Sequence, residues 1–140
     1  MPTQGTVLIT VAPKDKDYVL NAAKMFKELG FKIMATKGTK NSLDRNGIES
    51  SGINKMHEGR PHIVDAVNNK EIDLIINTPV GKESKYDDSY IRKAAIKYKI
   101  PYITTTAAAE AAAEGIKAYM KDKGSVKSIQ EYHKEIREIN

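Results

Sequence analysis

The sequence contains no cysteine and no tryptophan, and only two of its 140 residues are phenylalanine. Without cysteine the chain can form neither a disulfide framework nor a thiolate centre, which favours a reducing compartment. It also lacks basic segments with interleaved aromatic residues, the pattern that stacks on single-stranded nucleic acids. No apolar run approaches the roughly 20 residues that span a bilayer, and no basic stretch with a long apolar core follows Met1. We therefore expect a soluble, cytoplasmic domain that binds no nucleic acid and no membrane.

The length of the chain indicates the number of domains, and its charge distribution indicates where an anion could bind. A chain of 140 residues has the size of one compact domain, so we expect a single domain over residues 1–140. The formal net charge of +5 is uneven, with ten Lys and Arg against six Asp and Glu in residues 1–60, but thirteen against twelve in residues 61–140. The basic excess therefore lies in the first half of the chain.

Apolar, strand-like runs alternate along the sequence with segments whose apolar residues recur at helical spacing. This alternation predicts βαβ units, and hence an α/β fold in which helices flank a parallel sheet. Strands are predicted at residues 7–11, 31–35, 53, 73–78 and 100–104, and helices at residues 15–30, 38–46, 61–67, 90–98, 106–123 and 126–139, the last after a break at Gly124 and Ser125.

Several of these strands end in hydroxyl, amide or basic residues. The carboxyl ends of parallel strands share one edge of the sheet, where ligands bind in α/β proteins. A crevice that collects threonines, asparagines and lysines beside helix N-termini suits a phosphorylated anion. The residues concerned are Thr10, Lys14 and Lys16 after the first strand, Thr36 to Thr39 after the second, Asn54 and Lys55 after the third, and Asn77 and Thr78 after the fourth.

The segment Thr-Lys-Gly-Thr at residues 36–39 is the sharpest of these signals. We predict that Gly38 lets the backbone turn tightly and that Thr39 is the N-cap of the next helix, leaving N–H groups free to bind an anion. The alternative is that both residues have only these structural roles. Lys14 and Lys16 could likewise be solvated surface residues, and Asn77 could be a turn former rather than a partner for a sugar hydroxyl.

Catalysis has less support in the sequence than binding. Two histidines and a glutamate lie within residues 57–62, but their spacing is not that of a helical metal-binding pair, so we expect no metal site. No nucleophile–base–orienter set, Walker motif or dinucleotide fingerprint is present, so we assign no catalytic residue and no cofactor. The carboxylates considered as acids or bases are Asp15, expected to cap a helix, Glu58, Asp65, and Asp87 and Asp88, expected in a solvated loop.

Several motifs together make the chain resemble, nearly end to end, the methylglyoxal-synthase-like domain that forms the C-terminal allosteric section of the carbamoyl phosphate synthetase large chain. These motifs are Ala-Thr-Lys-Gly-Thr at residues 35–39, Asn-Lys-Met-His-Glu-Gly-Arg-Pro-His at 54–62, Asp-Leu-Ile-Ile-Asn-Thr at 73–78, Ile-Arg-Lys-Ala-Ala at 91–95 and Ser-Ile-Gln-Glu-Tyr-His at 128–133.

The resemblance implies a single three-layer α/β domain with a five-stranded parallel sheet and a site for a regulatory nucleotide, UMP or in some members IMP. It places four residues at the effector phosphate: Lys16, Thr36, Thr39 and Lys55. It places Thr10 and Asn77 at the ribose or base. Pro79 departs from a threonine of enteric members, which removes a hydroxyl and a backbone donor from that end of the pocket.

The resemblance also implies partners, since this domain regulates a glutamine-hydrolysing, ATP-dependent synthetase of pyrimidine and arginine biosynthesis. The expected partners are the catalytic domains of the large chain and, through them, the glutamine amidotransferase small chain. Because 140 residues cannot hold ATP-grasp domains, we expect the isolated domain to be non-catalytic, whether it is excised or separately encoded.

The main alternative is a phosphate-eliminating lyase of the methylglyoxal synthase type. That enzyme is expected to carry an aspartate in a Gly-Gly-Asp-Gln-like stretch, and the matching stretch here reads Glu-Gly-Arg-Pro-His at residues 58–62. It has no carboxylate at the catalytic position, so proton abstraction has no evident base. The animal urea-cycle synthetase, which binds N-acetylglutamate, looks different at residues 36–39 and 55–62.

Overall fold

A five-stranded, all-parallel sheet with helices on both faces forms the framework of the protein. The computed structural model describes the backbone of residues 1–79 and 85–137, and the side chains of residues 1–79 and 88–122. The strands are β1 (Thr6–Thr10), β2 (Lys32–Thr36), β3 (Ser51–Ile53), β4 (Leu74–Asn77) and β5 (Tyr102–Ile103). The helices are α1 (Val19–Glu28), α2 (Lys37–Arg45), α3 (Ile63–Asn68), α4 (Lys85–Lys97) and α5 (Thr106–Arg137), with short 3-10 turns at Pro13–Asp15 and Met56–Glu58.

Successive residues of the central strand supply two separate core layers. Val7 and Ile9 of β1 pack with α1 and α5 on one face of the sheet, whereas Leu8 packs with α3 and α4 on the other. All three side chains are fully buried, as expected for a parallel strand covered on both faces. The predicted three-layer α/β fold is confirmed. Of the helices described, none combines the length and apolar character that a bilayer crossing requires.

The strand order β3-β2-β1-β4-β5 determines where a ligand crevice forms. The chain builds the sheet outward from β1 to β3, then crosses back and continues with β4 on the other side of β1. The point at which this direction reverses lies between β1 and β4, and the connections that leave the two strands there diverge. Thr10 and Asn77 are register partners at the carboxyl ends of these strands, so both lie at the switch point, where doubly wound sheets bind ligands.

Four helix starts differ from the predictions, and that of α2 lies at Lys37 with Thr36 as its N-cap. The first helix begins at Val19 rather than at residue 15, and Asp15 belongs to a 3-10 turn instead of capping α1. The helix α3 begins at Ile63 with His62 as its N-cap, so Pro61 precedes the helix. The helix α4 begins at Lys85, within the segment that was predicted to be a loop; residues 80–84 of that loop lie outside the described residues.

The predicted break at Gly124 and Ser125 is wrong, because α5 continues through both residues as one helix of 32 residues. A glycine inside a helix costs only about 1 kcal/mol relative to alanine. Extending an existing helix is much easier than nucleating a new one, so a single Gly-Ser step need not end it.

Candidate functional site

The candidate site is the crevice at the carboxyl edge of the sheet around β1, β2 and β4. Three segments border it: the loop that leaves β1, the first turn of α2, and the end of β4 with the chain that follows. The structure brings the predicted residues of these segments to one edge. It also shows which of their polar atoms already have partners within the protein.

Thr10 and Thr36 connect the ends of the two neighbouring strands. The Thr36 hydroxyl donates a hydrogen bond to the Thr10 hydroxyl at 2.9 Å, and both residues are buried. Thr36 is also the N-cap of α2, yet its side chain makes no capping hydrogen bond. Because Thr36 bonds to Thr10 instead, its side chain does not occupy the N–H groups of the first turn of α2.

The role predicted for Thr39 as N-cap is wrong, because α2 begins at Lys37 and its N-cap is Thr36, three residues before Thr39. Thr39 is buried within the first turn of α2, where its hydroxyl oxygen accepts a hydrogen bond from the N–H of Val11 at 3.2 Å. Thr78 makes the equivalent contact from the other side, accepting from the N–H of Ala12 at 2.8 Å. These two hydroxyls therefore hold the loop that leaves β1, the loop that leads to Lys16.

Lys16 lies at the end of the 3-10 turn in that loop and extends towards α2. A Cβ atom added to Gly38 would lie 2.8 Å from Lys16 Nζ and 3.6 Å from Lys16 Cε. The ammonium group therefore lies against the first turn of α2. Gly38 itself is helical and has no positive φ, so its predicted role in a tight turn is wrong.

The two remaining lysine candidates are exposed. Lys14 lies in the 3-10 turn after β1. Lys55 lies two residues beyond the end of β3, so it is at the same edge of the sheet, and its backbone N–H donates to Glu58 Oε1 at 2.7 Å. The Lys55 side chain is on the surface of this loop, where its ammonium group is accessible to a ligand.

The loop that carries Lys55 is closed at its base. Asn54 and His62 form a parallel bridge, and the His62 imidazole Nδ1 accepts from the N–H of Asp65 at 3.4 Å. Asp65 in turn accepts from the N–H of His62 at 3.0 Å and pairs with the Arg60 guanidinium at 3.2 Å. His62 is thus a helix cap. Within residues 1–79 and 88–122, no group of three or more His, Cys, Asp or Glu side chains could hold a metal ion.

Asn77 is buried at the end of β4, and its side-chain amide is oriented by two partners. Its Nδ2 donates to Asp88 Oδ1 at 2.9 Å and to the Tyr102 hydroxyl at 2.7 Å. Asp88 is therefore half-buried on α4 and holds Asn77, in contrast to the solvated loop residue that was predicted. The side chain of Asp87 lies outside the described residues.

A cavity of about 370 Å³ is lined by Pro79, Asp88, Ser89 and Arg92, and one of these residues, Asp88, is the partner of the Asn77 amide. The Arg92 guanidinium lies 5.3 Å from the centre of the Tyr102 ring. Burial raises the pKa of Tyr102 above its usual value, although the hydrogen bond from Asn77 opposes this; the carboxylate of Asp88 raises the pKa further, and Arg92 lowers it. Tyr102 is thus a neutral hydrogen-bond partner at ordinary pH.

Comparison with family models identifies the class of protein that has this fold and this site. Residues 18–104 match the model described as the MGS-like domain, which is most of the chain, so this chain belongs to the MGS-like domain family. A crystal structure of methylglyoxal synthase from Elizabethkingia anophelis superimposes with a TM-score of 0.63, covering 81% of this chain and 79% of that one. At 16% sequence identity, that similarity supports the fold alone.

Sequence relatives identify a narrower group. The chain is 52% identical over 136 residues to the carbamoyl phosphate synthase large chain of Archaeoglobus fulgidus, covering 96% of this chain and 13% of the relative. It is 46% identical over 136 residues to the protein named carbamoyl phosphate synthase large chain, C-terminal section, of Methanopyrus kandleri, covering 96% of this chain and 25% of that protein. The chain therefore spans a quarter or less of these two relatives, and the resemblance recognised in the sequence is confirmed.

Proposed function

We propose that this chain is a regulatory domain of a carbamoyl phosphate synthetase large chain and that its crevice binds a nucleoside monophosphate, UMP or IMP. The observation that carries this proposal is the position of the Lys16 ammonium group against the first turn of α2, at the edge of the sheet beside the switch point. The relatives named carbamoyl phosphate synthase large chain support the regulatory assignment.

The electrostatics of this arrangement favour an anion. The N-terminus of a helix carries a partial positive charge of about half an elementary charge, which favours anions and disfavours cations. Lys16 brings a second positive charge to that place. The ammonium group and the positive end of α2 repel each other when no anion is present. An anion bound between them would be attracted by both. A phosphate dianion has the charge and the acceptor oxygens to contact the ammonium group and the N–H groups of α2 together.

The threonine hydroxyls and Lys55 complete the phosphate site in this proposal. Thr10 and Thr39 both use their oxygen to accept a hydrogen bond from the protein, so each hydroxyl keeps its own proton to donate to a phosphate oxygen. Thr36 acts by orienting Thr10. Lys55 approaches from the loop after β3 and supplies a second full positive charge.

The ribose and base then extend towards β4. Asn77 directs its Nδ2 to Asp88 and Tyr102, so its Oδ1 is the atom left to accept a hydrogen bond from a ribose hydroxyl. The cavity of about 370 Å³ beside Pro79 offers room for the base. Pro79 has no N–H, so recognition of the base would depend on Ser89 and Arg92 rather than on the backbone at that position.

Regulation requires that the nucleotide favours one conformation of the synthetase, and coupling free energies of about 1–3 kcal/mol are typical of allosteric enzymes. The partners in this proposal are the catalytic domains of the large chain and, through them, the glutamine amidotransferase small chain. The pathways are pyrimidine and arginine biosynthesis, and the location is the cytoplasm. No cofactor is needed in this domain.

The lyase alternative receives less support from the site. Arg60 stands where the catalytic aspartate would be, and its side chain is largely exposed and pairs with Asp65. Glu58 accepts a hydrogen bond from the backbone N–H of Lys55, and Asp65 accepts one from the backbone N–H of His62, the N-cap of α3. The carboxylates of this loop and of the following helix are thus engaged in structural contacts. A colorimetric assay should detect no methylglyoxal from dihydroxyacetone phosphate, and product formation would revive this alternative.

The residue assignment is tested by Lys55→Ala, measured by calorimetric titration with UMP. Loss of a charge-assisted contact worth roughly 1.5–3 kcal/mol should weaken UMP binding by about 10- to 150-fold without unfolding the chain, since Lys55 is exposed. Lys32→Ala is the matched control, because Lys32 is an exposed lysine at the opposite end of β2. Equal affinity in the two variants would refute the assignment of Lys55.

A further inference from the structure

Gly38 is helical, so its backbone conformation does not explain why a glycine stands there. It is the second residue of α2 and has no positive φ, unlike Gly30 and Gly47, which follow α1 and α2. Alanine is the better residue at a helical position, because glycine loses more backbone entropy when a helix forms. The reason for glycine at position 38 must therefore lie in the space around it.

The neighbour that occupies this space is the end of the Lys16 side chain. A Cβ on residue 38 would lie 2.8 Å from the ammonium nitrogen, closer than real Cβ atoms approach other heavy atoms. Among the glycines within residues 1–79 and 88–122, no other has an ammonium group this close; Gly115 on α5 has nothing within 4 Å of an added Cβ, and Gly52 meets only the aliphatic part of Lys40.

We infer that Gly38 is a positioning residue for Lys16: its missing side chain lets the ammonium group reach the N-terminus of α2, where the proposed effector phosphate binds. A Cβ at position 38 forces the flexible end of the Lys16 side chain to shift away from its place against the first turn of α2. This shift weakens the contact that the ammonium group makes with an anion bound at the N-terminus of α2. This inference rests on the proposed function, and it concerns a residue that does not itself contact the ligand through a side chain.

The test is Gly38→Ala, because alanine adds only the methyl group in question. We expect the variant to keep or raise the melting temperature, since alanine favours the helix. Its affinity for UMP and for inorganic phosphate should fall about tenfold, the lower end of the range expected for a charge-assisted contact, because Lys16 is displaced rather than removed. Gly115→Ala is the matched control: it adds the same methyl group to a helical glycine with open space around it, so it should leave both affinities unchanged.

A double-mutant cycle separates displacement of Lys16 from direct obstruction of the ligand. In a Lys16→Ala background, Gly38→Ala should cost no further affinity, because the side chain that it displaces is gone. An equal loss with and without Lys16 would mean that the methyl group blocks the ligand itself, which overturns this inference and leaves the proposed function standing. Unchanged affinity in Gly38→Ala overturns it as well. A wild-type chain that binds neither anion would overturn the proposed function, and the inference with it.

Discussion

The hydroxyl of Thr36 donates a hydrogen bond to the hydroxyl of Thr10 across 2.9 Å, joining the carboxyl ends of β2 and β1 directly beneath the crevice. Thr36 is in the position of a helix cap, but its side chain does not cap the helix. The first turn of α2 is consequently left available to a ligand, while the bond fixes the orientation of Thr10. One contact between two buried side chains thus helps to form the proposed binding site.

This contact predicts energetic coupling between the two threonines. Thr36→Val and Thr10→Val should each reduce the free energy of unfolding by about 1 kcal/mol, since each removes one partner of a buried hydrogen bond. The double variant should cost less than the sum of the two single variants, by about 1 kcal/mol. Denaturant titration of the ligand-free wild type, the two single variants and the double variant measures the four free energies of unfolding. Additive effects would mean that the hydrogen bond contributes nothing to stability.

Thr39 provides a second stability prediction. Thr39→Val removes the oxygen that accepts from the buried N–H of Val11, and an unsatisfied buried donor costs about 1–3 kcal/mol. Thr39→Ser keeps that oxygen and should therefore be the more stable of the two variants. Thermal unfolding in the absence of nucleotide is the appropriate measurement. Equal melting temperatures for the two variants would contradict the role assigned to the Thr39 hydroxyl.

Tyr102 makes stability depend on pH in the alkaline range. Burial raises its pKa in the folded protein above the ordinary value of 10.0, so the folded state retains a proton that the unfolded state has released. The contribution of neutral Tyr102 to the free energy of unfolding is therefore complete below pH 10, and it is lost as the pH rises through the higher pKa of the folded state. The free energy of unfolding of the wild type should fall more steeply above pH 10 than that of Tyr102→Phe. If the free energies of unfolding of the two proteins fall in parallel above pH 10, Tyr102 is not the source of the pH dependence.

Much of the fold was predictable because strong local signals agreed with the tertiary structure. The run Asp-Leu-Ile-Ile-Asn-Thr at residues 73–78 is apolar on both faces and ends in polar residues, so both the buried strand β4 and the position of Asn77 followed from it. The alternation of strands and helices then placed the crevice at the carboxyl edge of the sheet.

The partners of the site residues could not be predicted, because they depend on contacts between distant parts of the chain. Tyr102 reaches Asn77 only after β5 pairs with β4, and Asp88 does so only from α4. The N-cap of α2, which is Thr36 rather than the predicted Thr39, could not be predicted for a similar reason. Both threonines have the chemistry of an N-cap, and only the position of Thr10 shows why Thr36 occupies the cap without bonding to its own helix.

The central claim is that the crevice binds a nucleoside monophosphate, and a thermal-shift titration with UMP tests it most directly. IMP, inorganic phosphate and dihydroxyacetone phosphate serve as comparisons. Ligand at about one hundred times its dissociation constant should stabilise the fold by roughly 2.7 kcal/mol, which raises the melting temperature by several degrees. We predict a shift with UMP that clearly exceeds the shift with phosphate. If neither UMP nor IMP raises the melting temperature, the claim is contradicted.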